Sequence, residues 1–84
     1  MGTRQVSVEL HARAMDLAGS RHAEVRIPDG ATSAELKASL GEAYPGLREM
    51  LGVSVIATDE EYLAEGAGLG PGDRFHLIPP VSGG

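Results

Sequence analysis

Apolar and polar positions alternate from the start of the chain. Val6, Val8, Leu10 and Ala12 are interleaved with Ser7, Glu9 and His11. A period of two is the signature of a half-buried β-strand. Arg13 to Ser20 reads as a connection with room for one helical turn, closed by Gly19-Ser20. Ala23, Val25 and Ile27 then alternate with Glu24 and Arg26, and Pro28-Asp29-Gly30 ends this second strand. Strands so close in sequence are expected to pair antiparallel. At Thr32 the period changes. Thr32-Ser33-Ala34-Glu35 has the spacing of a capping box, and Leu36, Leu40, Ala43 and Tyr44 follow at helical intervals. Pro45-Gly46 interrupts the helix, and Leu47, Met50 and Leu51 resume the pattern. Val53, Val55 and Ala57 alternate with Ser54, Ile56 and Thr58 as a third strand. Asp59-Glu60-Glu61 is an acidic turn, Tyr62-Leu63 a candidate short strand, and Gly66 to Gly72 a glycine-rich loop. Arg74 to Ile78 is the last strand, with Phe75 and Leu77 on one face and His76 and Ile78 on the other.

The order β-β-α-β-(β)-β predicts an α+β domain, a mixed sheet of four to five strands covered on one face by one main helix. If the first and last strands pair in the middle, the fold is the ubiquitin-like β-grasp. The expected division is a domain over 1–78 and an extended tail over 79–84, with neither repeat nor interdomain linker.

Composition narrows the function. The chain has 84 residues, enough for one small domain. Seven Lys and Arg against twelve Asp and Glu leave a net charge of −5. That balance opposes binding to nucleic acid or to an anionic membrane surface and suits docking on a basic partner. With no cysteine there is no disulfide, thiolate site or thiol nucleophile, which fits a reducing cytoplasm. Neither a signal peptide nor a membrane span is expected, and Val6 stands where a myristoylation signal needs Ser or Thr.

Candidate chemistry lies at the end. Pro79-Pro80-Val81-Ser82-Gly83-Gly84 follows the last strand. Two prolines remove donors and favour an extended chain, so six residues reach roughly 20 Å at ~3.3 Å each. Two glycines without side chains pass a narrow channel. A carboxylate with a pKa near ~3.5 is a poor electrophile, and the chain has no phosphate-binding lysine loop to activate it. A bare Gly84 carboxylate on a stiff arm makes sense when another enzyme activates it. The plain alternative is an inert tail.

Other constellations are weaker. His11 and His76 share a sheet face if the outer strands pair centrally, and Glu9 is near. Zinc asks for a third or fourth ligand in fixed geometry, so the reading for His11, His22 and His76 is solvated or interfacial, with no metal. Ile78 on the same outward parity marks a docking surface or a partly buried strand end. Asp59-Glu60-Glu61 with Glu65 reads as solvated charge, and the glycine-rich loop reads as turns.

The whole chain resembles the ubiquitin-like sulfur-carrier proteins, and among them the small subunit of molybdopterin synthase. The resemblance rests first on Leu77-Ile78-Pro79-Pro80-Val81-Ser82-Gly83-Gly84. Supporting matches are Leu69 with Gly72-Asp73, Tyr44-Pro45-Gly46-Leu47, and Ala12-Arg13 with Leu17-Ala18-Gly19. His11 departs from the aromatic the family often carries before Ala-Arg, Ala14-Met15 from its second Arg, and Asp59 from a frequent Asn. The resemblance implies that an ATP-dependent adenylating (E1-like) enzyme activates Gly84. Sulfur from a donor such as a cysteine desulfurase or rhodanese then makes a thiocarboxylate. The tail Pro79 to Gly83 inserts into the large subunit, where sulfur passes to cyclic pyranopterin monophosphate in molybdenum cofactor biosynthesis. It further implies a cytoplasmic heterotetramer, a small subunit that is not itself an enzyme, and no permanently bound cofactor; the shared outward parity of His11, His76 and Ile78 makes these three the candidate partner interface. Two alternatives stay open. The carrier serves a thiazole, tRNA or cysteine pathway or modifies proteins, or the chain is an interaction module with an inert tail.

Overall fold

The two strands farthest apart in sequence lie side by side. The computed structural model describes residues 2–80. Strand β1 (Thr3–Leu10) pairs antiparallel with β2 (His22–Pro28) on one side and parallel with β4 (Arg74–Ile78) on the other. Strand β3 (Val55–Ala57) joins the far edge of β4 antiparallel, giving the sheet order β2-β1-β4-β3. Between them come helix α1 (Arg13–Ala18), helix α2 (Ser33–Ala43), a 3₁₀ turn (Pro45–Leu47) and helix α3 (Arg48–Leu51). The central parallel pair with the helices packed on one face is the β-grasp architecture expected if the first and last strands pair in the middle.

The alternation sets the core. Val6, Val8, Leu10, Ala23, Val25, Ile27, Phe75 and Leu77 face inward, and α2 covers them with Leu36 and Leu40. Burying a side chain such as Phe75 contributes about 1.5–3 kcal/mol, so a chain this short depends on each one. The capping box forms in full: the Glu35 amide donates to Thr32 Oγ1 at 3.2 Å, and the Thr32 amide donates to Glu35 Oε1 at 2.9 Å. Pro45 ends α2, and its 3₁₀ turn places Leu47 in the core.

Four local readings are corrected by the structure. Ala12 does not extend β1. It is exposed and has φ 53°, and the chain turns there into α1. Ala43 is exposed, so the inward stripe of α2 closes with Tyr44, half-buried against the core. The third strand is three residues long, and its inward residue is Ile56, with Val53 63% and Val55 38% exposed. Ser54 explains the change. Its hydroxyl donates to Met50 O at 2.6 Å, which holds residues 52–54 to the end of α3 instead of the sheet. Tyr62-Leu63 makes one bridge, Ala57 to Tyr62, rather than a fifth strand.

The glycine-rich loop is held at both ends. Arg4 donates to Gly70 O at 2.6 Å and to Gly72 O at 2.9 Å. Ser33, buried at the start of α2, donates to Ala64 O and accepts from the Gly66 amide, both at 2.9 Å. Ser33→Ala removes both hydrogen bonds and leaves Ala64 O to the Ala67 amide alone. At about 0.5–1.5 kcal/mol for each bond, it is expected to cost about 1–3 kcal/mol in a denaturant titration. Gly46 is needed for another reason, since a Cβ there would lie 2.6 Å from the Leu17 carbonyl oxygen. Gly46→Ala is therefore expected to cost about 1–3 kcal/mol by the same titration, because backbone must move to make room.

Candidate functional site

The helices leave one sheet face open, and the central strands place the candidate residues there. Parallel register sets Glu9 opposite His76, and His76 is also opposite Ala57 in β3. His11 follows the end of β1 and reaches back over the same face. Its Nε2 lies 2.9 Å from His76 Nδ1, and the two rings are tilted by 37°. Glu9 Oε2 is 3.3 Å from His76 Nδ1 and 3.9 Å from His11 Nε2. The other His76 nitrogen, Nε2, lies 2.6 Å from Asp59 Oδ1.

Asp59 is presented by a built turn. Thr58 Oγ1 accepts from the amides of Glu60 and Glu61, and the Thr58 amide donates to Glu61 O. The hydrogen bond from His76 holds the Asp59 carboxyl below its usual range. Desolvation opposes this shift, and the charges of Arg74 and His76 add to it.

The groove along this face is lined by His11, Asp59, Tyr62, His76 and Ile78, among others. Three expected interface residues, His11, His76 and Ile78, thus come together. Ile78 is half-buried and pairs with the partly exposed Val55. Pro79 is buried and Pro80 exposed. The tail therefore departs from the end of the central β4, beside the groove. Val81, Ser82, Gly83 and Gly84 lie outside the described residues. His22 is exposed opposite Glu9 on β2.

Sequence reasoning missed Tyr62 as part of this face, and it marked Asp59 only as a departure from the family's frequent Asn within a solvated acidic turn. A lone tyrosine carries no local signal for the face, and an acidic turn does not say which strand it will meet. The β3 pairing and the Ala57–Tyr62 bridge bring them there. On the helix side, the Lys37 stem is buried and its amine donates to Glu65 Oε1 at 2.7 Å, which occupies the one lysine of the chain. Among the described residues, no helix is long and apolar enough to cross a membrane.

Comparison with known proteins agrees with this architecture. The model of the ThiS family matches residues 8–84. The molybdopterin synthase sulfur carrier subunit of Arabidopsis thaliana is 34% identical over 80 residues, covering 95% of this chain and 83% of the relative. Among solved structures, small archaeal modifier protein 1 of Haloferax volcanii superposes with a TM-score of 0.79 at 28% identity, covering 96% of this chain and all of that one. A complex of subunits 1 and 2 of molybdopterin-converting factor from Helicobacter pylori contains a chain that matches at TM-score 0.62 and 28% identity, covering 96% of this chain and all of that one. A near full-length family match, a relative above 30% identity and a shared fold agree, and the chain belongs to the ThiS family of ubiquitin-like sulfur carriers, on the side of the molybdopterin synthase small subunit.

Proposed function

We propose that this chain carries sulfur on the carboxyl group of Gly84 and delivers it in molybdopterin synthase to cyclic pyranopterin monophosphate. The observation that carries the reading is where the tail begins. Pro79 and Pro80 follow β4, a central strand locked on both sides, in a family whose relatives are sulfur carrier subunits. A rigid root lets a short arm reach a distant active site with a fixed direction.

The chemistry needs enzymes that this chain is not. An ATP-dependent adenylating enzyme joins AMP to the Gly84 carboxylate and releases pyrophosphate. The terminal sulfur of a persulfide on a donor such as a cysteine desulfurase or rhodanese attacks the acyl adenylate and expels AMP, and a thiol then cleaves the resulting acyl disulfide, itself becoming oxidised, to leave a thiocarboxylate. The arm, Pro79 to Gly83, then enters the large subunit. Once the sulfur is bonded to the acceptor, water cleaves the acyl–sulfur bond and returns the carboxylate for another cycle. The domain over 1–78 acts as the handle and 79–84 as the arm, working in the cytoplasm as part of a heterotetramer. The groove face with His11, His76 and Ile78 is the docking surface.

A second reading, attachment of the same carboxyl to protein lysines, is favoured by the likeness to small archaeal modifier protein 1.

Incubation with the adenylating enzyme, ATP and a sulfur donor is expected to exchange one oxygen of the chain for sulfur, seen by intact mass. A variant ending at Pro80 is expected to keep its thermal midpoint and lose loading completely. Isopeptide adducts without thiocarboxylate would favour the modifier reading. A Pro80-ended variant that still performs its role would favour an interaction module with an inert tail. Ile78→Asp is expected to weaken binding to the large subunit by at least ~10-fold, about 1.4 kcal/mol, by calorimetry, with loading by ATP and the sulfur donor retained.

A further inference from the structure

Three ligand-type atoms converge on the open face. His76 Nδ1 faces His11 Nε2 at 2.9 Å and Glu9 Oε2 at 3.3 Å, and Glu9 Oε2 is 3.9 Å from His11 Nε2. The other His76 nitrogen, Nε2, is engaged by Asp59 Oδ1 at 2.6 Å. A neutral imidazole carries one N–H, so with its N–H donated to Asp59 the ring offers Nδ1 as a lone pair to a cation.

We propose that Glu9, His11 and His76 form a binding site for one divalent first-row transition cation, zinc foremost. The separations support it. In a tetrahedral zinc site with bonds of about 2.0–2.1 Å, two donor atoms lie ~3.3 Å apart. The three donor–donor distances here are 2.9, 3.3 and 3.9 Å, which bracket that value. All three atoms lie within 4.8 Å of one another. Asp59 positions the site without touching the ion, because its bond to Nε2 fixes His76 in the tautomer that ligates through Nδ1. Nitrogen-rich donors favour zinc, nickel or copper over magnesium or calcium. The His11 and Glu9 side chains are 41% and 40% exposed, so an ion reaches the site directly from solvent. His11 and His76 also line the groove, from which water or a donor of a docked protein would complete the coordination. This inference does not depend on the sulfur-carrier reading. It replaces the sequence reading of His11 and His76 as merely solvated or interfacial, because two strands and a loop supply what the sequence spacing lacks.

Zn²⁺ titrated into the metal-free, tag-free full chain tests it by calorimetry, with Co²⁺ as a visible probe of geometry. Saturable binding of one equivalent and the intense visible absorption of four-coordinate Co²⁺ are expected. His11→Ala and His76→Ala should each weaken binding by at least ~10-fold, and Asp59→Asn by ~10–100-fold. His22→Ala, altering a cross-strand neighbour of Glu9 outside the cluster, should leave affinity unchanged. Circular dichroism of each variant separates loss of the site from loss of the fold. Absence of saturable binding, binding that survives the double variant of His11 and His76, or binding lost with His22 would each overturn the proposal.

Discussion

The parallel pairing of β1 with β4 is the contact on which this molecule depends. It joins residues near the two ends of the chain, so its loop-closure cost is the largest in the fold. It is offset by Val8, Leu10, Phe75 and Leu77, all buried on the inner face of those strands. A hairpin such as β1–β2 is at best marginally stable alone. Insertion of β4 beside it makes a sheet that α2 can cover. The same register writes the outer face, because a one-residue slip of β4 against β1 would turn His76 into the core and Phe75 and Leu77 out of it.

Two consequences for function follow. The last strand is central rather than peripheral, so the segment after Ile78 leaves a body that cannot fray from that side. The outer face next to that exit holds charge and apolar surface side by side: Glu9, His11, His76 and Asp59 with Ile78, Val55 and Tyr62. The loop between β3 and β4 is tied down by polar bonds from Arg4 and Ser33 and by Leu69, which is buried in the core. Such fastening lets a glycine-rich segment keep its course.

Much of this was legible along the chain. The bounds of β2 and β4, the capping box at Thr32, the break at Pro45 and the inward parity of Phe75 and Leu77 all follow from local periods and local hydrogen bonding. The errors share a cause. Ala12 and Val53 have residue types that suit a strand, but the chain there is claimed by the ends of helices, at α1 and through Ser54 at α3. Tyr62 looked strand-like and found only one bridging partner. Asp59 looked like solvated charge until β3 placed its turn beside His76.

Sequence alone determined which residues seek the interior, where the main helix starts, and that a proline- and glycine-bearing tail follows an apolar strand. Those features depend on neighbours within a few positions. Tertiary structure decided which strands are neighbours, and therefore that His11, His76, Glu9 and Asp59 converge and that Gly46 must lack a side chain beneath the Leu17 carbonyl. Contacts between groups tens of residues apart leave no period in the chain, because they are selected by the packing of the whole sheet.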